Sequence, residues 1–91
     1  MLKFEWDDDK ARANLAKHRV SFEEAASVFG DPLALTFADP DHSVAERRWI
    51  TFGLSAHGRL LTLVHCERGR SIRIISARLA TRHERSTYED G

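Results

Sequence analysis

The sequence predicts an α+β domain: an antiparallel sheet, made of a short N-terminal strand and a four-strand meander, with two helices near the N-terminus and one at the C-terminus. Three observations carry this. Helix signals cluster between Asp7 and Gly30 and again after Arg78. Between those regions the apolar residues follow the two-residue period of strands, interrupted by "SAHG" and "ERGR". A chain of 91 residues supports one modest core, so residues 1–91 are expected to form a single domain.

Leu2, Phe4 and Trp6 alternate with polar neighbours, which is the pattern of a short half-buried strand. Asp7-Asp8-Asp9 then places negative charge where a helix exposes its free N–H groups, and good helix formers continue through His18. Ser21-Phe22-Glu23-Glu24 is a capping-box pattern, followed by Phe22, Ala25, Ala26 and Phe29 at helical spacing and stopped by Gly30-Asp31-Pro32. The meander comprises "LALTF", a turn at Asp39-Pro40-Asp41, "AERRWITFG", "RLLTLVHC" and "SIRIISAR".

Turns centred on Arg68-Gly69 and Ala56-His57 would pair Val64 with Arg73, Leu63 with Ile74, Trp49 with Val64 and Ile50 with Leu63. One sheet face would then carry Ile50, Leu63, Ile74, Phe52, Leu61 and Ser76 toward the helices. The other would carry Trp49, Val64, Arg73, Arg47, Cys66 and Ser71. After Arg78, Thr81 and Glu84 form a second capping-box pattern opening a helix to about Tyr88. Arg78, Arg82 and Arg85 fall at spacings that would give this helix a basic stripe, and with only Leu79, Ala80 and Tyr88 to anchor it the helix is expected to be loosely held.

A composition of 42% hydrophobic and 31% charged residues excludes a disordered chain, and no apolar run is long enough for a membrane span. "MLKFEWDDDK" lacks the basic start and apolar centre of a signal peptide, and Cys66 has no second cysteine to bridge. A cytoplasmic protein is expected. One cysteine and five scattered histidines offer no metal-ligand spacing, so neither a metal nor another cofactor is implied.

The formal charge is zero, but residues 1–45 hold five Lys/Arg against nine Asp/Glu, and residues 46–91 hold nine against five. All nine cations of the second half are arginines, whose planar fork grips phosphate through two parallel hydrogen bonds. A phosphate-bearing partner fits this distribution; so does an arginine surface paired with the chain's own acidic half. A strand such as "SIRIISAR" would aim Arg73 and Arg78 rigidly, Arg68, Arg82 and Arg85 would extend the basic surface, and Trp49 could stack a base or stack on Arg73.

The segments "FEWDDDKARANLAKHRVSFEEAASVFGDPL", "DHSVAERRWITFGLS" and "RIISARLATRHERSTYE" together resemble, over nearly the whole chain, the BrnT toxins of bacterial type II toxin–antitoxin pairs. The resemblance implies a fold similar to the RelE-type ribonucleases, RNA cleavage that halts translation, and a hetero-oligomer with a small BrnA-type antitoxin that neutralises it. One departure is that Arg19 stands after "KH" where the family commonly has Gly; if that position requires a left-handed backbone, the turn is strained.

Metal-free RNA cleavage needs a base for the 2′-OH, positive charge on the phosphorane and an acid for the leaving 5′-oxygen. Arg78 and Arg47 suit the second task, and Glu46 or His42 could serve as the base, although a turn histidine is more often simply solvated and Glu46 beside Arg47 more often a surface ion pair. His83 is a further candidate acid. The competing function class is a catalytically silent nucleic-acid or partner-binding module using the same arginines.

Overall fold

The first helix starts where the acidic triplet predicts: the Asp7 carboxylate accepts the Lys10 N–H at 3.0 Å, and α1 runs Asp8–His18. It ends at Arg19, a non-glycine residue held left-handed at φ 59°, whose N–H reaches the Leu15 carbonyl at 2.9 Å. The position that the family resemblance marks for Gly is therefore one that needs this backbone. Ser21 caps α2 (Phe22–Ser27), its hydroxyl accepting the Glu24 N–H at 3.0 Å, and a single 3₁₀ turn follows over Val28–Gly30. The computed structural model describes residues 2–40 and 47–91.

The strands are β1 (Lys3–Glu5), β2 (Leu35–Ala38), β3 (Trp49–Leu54), β4 (Leu60–Arg68) and β5 (Ser71–Leu79), and the chain closes with α3 (Arg82–Asp90). They form one sheet in the order β1-β5-β4-β3-β2. The meander β2 to β5 is antiparallel as expected, but β1 pairs parallel to β5, with Phe4 opposite Ile72. The sheet is thus mixed. A strand followed by helices can rejoin the sheet in parallel, because the intervening chain supplies the long crossover that such pairing requires.

The register differs from the expected one. Trp49 pairs with His65, Ile50 with Val64 and Thr51 with Leu63, because the β3–β4 connection spans five residues, closed by Ser55 N–H to the Arg59 carbonyl at 2.8 Å. The last hairpin turns at Gly69-Arg70 with Gly69 at φ 59°, so Arg68 faces Ser71 and Cys66, not Val64, faces Arg73. One slipped residue exchanges faces. Ile50 and Phe52 leave the helix side, and Thr51 and Gly53 take their place. At Gly53 an added Cβ would lie 2.5 Å from Val28 Cγ1, so the bare backbone lets the 3₁₀ turn rest on the sheet.

A second irregularity acts in β5. Pairing steps from Val64–Ser76 to His65–Ile74, leaving Ile75 as an extra residue on its strand. Arg73, Ser76 and Arg78 therefore share the outer face, while Ile74 and Ala77 point toward the helices. The expectation that Ser76 joins the core is corrected by this bulge.

The core under α1 and α2 consists of Val20, Phe22, Ala25, Val28, Leu61, Leu63, Ile74 and Ala77. Phe4 and Trp6 border it through ring contacts with Phe29 at 5.4 Å and Phe22 at 5.9 Å. α1 is itself mostly polar; what fixes it is Asn14. Its amide nitrogen donates to the Ala77 and Val20 carbonyls at 2.8 and 2.9 Å, and its oxygen accepts the Ala77 N–H at 3.1 Å. β1 covers only residues 71–73 of β5, so beyond it this side chain takes the place of a neighbouring strand. His65 is another buried polar group, its Nε2 2.7 Å from the buried Thr51 hydroxyl, which lies 2.8 Å from the Thr36 hydroxyl.

Asn14→Ala should lower unfolding free energy by at least about 2 kcal/mol in urea titrations, since it strands a buried N–H and buried carbonyls; a loss below about 0.5 kcal/mol would show the clamp to be dispensable. Arg19→Gly should instead stabilise by roughly 0.5–1 kcal/mol by removing the left-handed strain. Burial lowers the His65 pKa from 6.5 to about 4, and its Nδ1 has no partner among the described residues to accept a second proton. The unfolded chain binds that proton first, so stability is complete above pH 6.5 and falls as pH drops toward 4, by about 3 kcal/mol in all. Thermal melts between pH 7.5 and 4 should show this loss, and His65→Leu should flatten it.

Candidate nucleic-acid interface

β5 delivers Arg73 and Arg78 to the sheet face opposite α1 and α2. Arg73 ion-pairs with Glu5 on the adjacent β1 at 2.9 Å. Arg78 opposes Thr62 of β4, and its guanidinium meets the Glu84 carboxylate as a fork, Nη1 to Oε1 at 2.7 Å and Nη2 to Oε2 at 2.8 Å. The Thr62 hydroxyl adds a bond to Glu84 Oε1 at 2.8 Å, and the Thr81 N–H another at 2.9 Å. The Arg78 hydrogen bonds hold the Glu84 carboxyl near a pKa of about 2 against the opposing effect of burial, and the same pairing raises that of Arg78.

Glu84 can do this because Thr81 caps α3 with its hydroxyl on the Glu84 N–H at 3.1 Å, completing the capping box read in the sequence. α3 has no buried residue, as its few apolar groups led one to expect, and hydrogen bonds join both its ends to the rest of the fold. At the far end the Tyr88 hydroxyl donates to Asp31 Oδ2 at 2.7 Å, an oxygen that also accepts the Leu54 N–H at 2.8 Å. The expected stripe of Arg78, Arg82 and Arg85 is corrected, because Arg78 lies in β5 and the helix begins at Arg82. Arg82 and Arg85 are both exposed on α3, Arg85 lying 3.9 Å from Glu89.

The rest of this face is a half-buried apolar floor of Ile50, Phe52 and Val64, with Phe37 of β2 43% exposed and its ring 5.5 Å from that of Phe52. Trp49 does not lie on it. Paired with His65 and, through it, Ile74, Trp49 points to the helix side, so the expected Trp49–Arg73 pair is separated by the sheet. Its companion is Arg47, whose guanidinium carbon sits 5.6 Å from the ring centroid. Arg68 ends β4 beside the hairpin turn and is exposed. Glu46 and His42 lie outside the described residues.

Sequence reasoning missed Glu84 as the partner of Arg78 and Thr62 as its third contact. The Thr81-x-x-Glu84 spacing announced a cap, but nothing in it announced a guanidinium from a neighbouring strand. A second concealed cluster ties α2 to the β3–β4 loop: Glu24, 3% exposed, accepts from Ser55 Oγ at 2.7 Å and Arg59 Nε at 2.9 Å, with His57 Nδ1 at 3.6 Å. Arg59 first, then Ser55, hold its carboxyl to a pKa of about 2 despite burial. With its charge matched and its oxygens occupied, Glu24 secures the loop and is a poor base. Among the described residues no cluster of His, Cys, Asp or Glu could hold a metal ion, and no helix is long and apolar enough to cross a membrane.

Residues 6–84 match the family described as the ribonuclease toxin, BrnT, of type II toxin–antitoxin systems. The fold is similar to that in the 1.1 Å crystal structure of the Brucella abortus ribonuclease toxin, BrnT, with a TM-score of 0.68 and 22% sequence identity over 90% of this chain and 100% of that one. No curated protein matches the chain. The matched span ends on Glu84, so it takes in both halves of the Arg78–Glu84 fork.

Proposed function

Because the chain belongs to the BrnT family of ribonuclease toxins of type II toxin–antitoxin systems, we propose that it is a metal-independent endoribonuclease acting in the cytoplasm, which cleaves RNA and so arrests translation until a BrnA-type antitoxin binds it. The observation that carries this reading is the outer sheet face, to which one strand aims both Arg73 and Arg78, with Arg82 and Arg85 exposed on the α3 that follows. A strand-borne guanidinium has little freedom left to lose when a phosphate arrives, so positive charge is in place before the reaction needs it.

In the proposed reaction a base removes the 2′-OH proton, the 2′-oxygen attacks the adjacent phosphorus, and Arg78 neutralises the charge gathering on the phosphorane oxygens. The 5′-oxygen then leaves with a proton. Glu46 and His42 are the candidate bases and His83 a candidate acid. Arg47 and the Trp49 ring beneath it, on the helix side of the sheet, would meet the RNA away from the reacting phosphate, while Arg68, Arg73, Arg82 and Arg85 would hold the flanking phosphates. Antitoxin carboxylates on the same arginines would exclude RNA and give fast, charge-steered association.

The fork from Arg78 to Glu84 and the ion pair from Arg73 to Glu5 favour a second reading. In it the face is a binding surface without chemistry, its arginines serving mainly to order the protein.

Purified protein incubated with RNA in excess chelator separates the two: cleavage supports the ribonuclease, and salt-sensitive binding without cleavage supports the binding module. Arg78→Ala, verified as folded, should reduce cleavage roughly 10²–10³-fold, and Arg78→Lys should restore only part of it, because an ammonium cannot reproduce the fork. Undiminished cleavage by folded Arg78→Ala would remove Arg78 from the chemistry.

A further inference from the structure

Four donors converge on the Glu84 carboxylate from three elements: two guanidinium nitrogens of Arg78 on β5, the Thr62 hydroxyl on β4 and the Thr81 N–H at the start of α3. We propose that this cradle is a phosphate subsite for an RNA strand, and that Glu84 fills it in the free protein as a tethered stand-in for the phosphate. The proposal deepens the ribonuclease reading and rests on it for the identity of the polymer; the oxyanion chemistry stands on the cradle alone.

The donor set matches phosphate. Two carboxylate oxygens and two non-bridging phosphate oxygens both accept the parallel hydrogen bonds of a guanidinium fork, and a hydroxyl with a helix-terminal N–H completes the pattern by which proteins hold phosphate groups. Three of the four bonds fall on Oε1, so one oxygen is held like the most deeply seated oxygen of a bound anion. Each donor except the Thr81 N–H is carried by a strand, whereas the occupant is a side chain on a helix with no buried residue.

The site can be reached and vacated. The Arg78 side chain is 40% exposed, and Tyr88 on Asp31 would hold the far end of α3 while Glu84 rotates away. Exposed Arg82, one residue beyond the cap, would lie beside the incoming strand. An incoming phosphate must displace an acceptor that is already present at high effective concentration, so Glu84 lowers the apparent affinity of its own site. The same displacement frees Arg78 to bind the phosphate oxygens only once substrate has arrived.

Glu84→Gln is the discriminating change. Gln serves at this position of a capping box as well as Glu does, so α3 keeps its start while the cradle loses its resident charge. Amide and guanidinium NMR signals of Thr81 and Arg78 would be followed during titration with inorganic phosphate, and a cleavage-resistant RNA carrying 2′-O-methyl groups would be titrated separately. Glu84→Gln should bind both about tenfold more tightly than the native chain, and Arg78→Ala added to it should abolish the gain. Glu84→Asp, which keeps the charge but is one methylene too short to span the fork, should give a smaller gain, and it replaces Glu84→Gln if that variant unfolds. Unchanged phosphate affinity in the folded variants overturns the subsite, whatever RNA cleavage the native protein shows. A gain for phosphate without one for the RNA analogue overturns RNA as the ligand and, with no cleavage by the native chain, the ribonuclease reading itself.

Discussion

The placement of Arg78 on the same face as Arg73 depends on a single extra residue in β5. Without the bulge at Ile75, strict alternation from Arg73 would bring Ile75 and Ala77 to the outer face and bury Arg78 against the helices. With it, Ala77 turns inward and Arg78 emerges opposite Thr62. The bulge lies where β5 passes beyond the cover of β1, and just past it Asn14 binds both the N–H and the C=O of Ala77. One amide thus docks α1, satisfies an uncovered strand and holds the segment whose twist aims the guanidinium.

That dependence explains what was legible in the sequence and what was not. Helix starts are written locally, in Asp7, Ser21 and Thr81, because a cap needs only a side chain and an N–H three residues on. The strands were legible from their period, as were the general layout of the sheet and the need for a left-handed backbone at Arg19, given the family's glycine. Face assignment was not, because it rests on counting residues through turns. Five residues join β3 to β4, the last hairpin turns one position later than expected, and the bulge adds a third offset. The first of these moved Trp49 to the helix side and Ile50 to the outer face, and the bulge moved Ser76. The parallel pairing of β1 was likewise invisible, since a three-residue strand carries no mark of its direction.

The candidate site was half legible. Arg73 and Arg78 were found because arginine in an apolar strand is conspicuous; Glu84 was missed because its capping role already accounted for it. The two capping-box glutamates diverge instructively. Glu24 leaves its cap half made and commits its carboxylate to Ser55 and Arg59, whereas Glu84 completes its cap and reaches Arg78 as well. A sequence pattern fixes the backbone event, and the tertiary partner decides what else the carboxylate does.

The asymmetry of charge along the chain is consequently not a simple division between an acidic scaffold and a free basic surface. Glu5–Arg73 and Glu24–Arg59 join the two halves, while Arg78–Glu84 lies within the basic one. These pairs differ in how their partners are placed. Glu24 is almost wholly buried, so removing it disturbs the fold; Glu84 is presented by a helix that the Thr81 cap and the Tyr88–Asp31 bond also hold. An ion pair of the first kind serves stability. An ion pair of the second kind leaves a partly exposed guanidinium in register, held by a group that, on the reading proposed above, an incoming phosphate replaces. In a domain this small, with one face of its sheet given over to the core, that distinction is how the remaining face can be both ordered in isolation and available to a ligand.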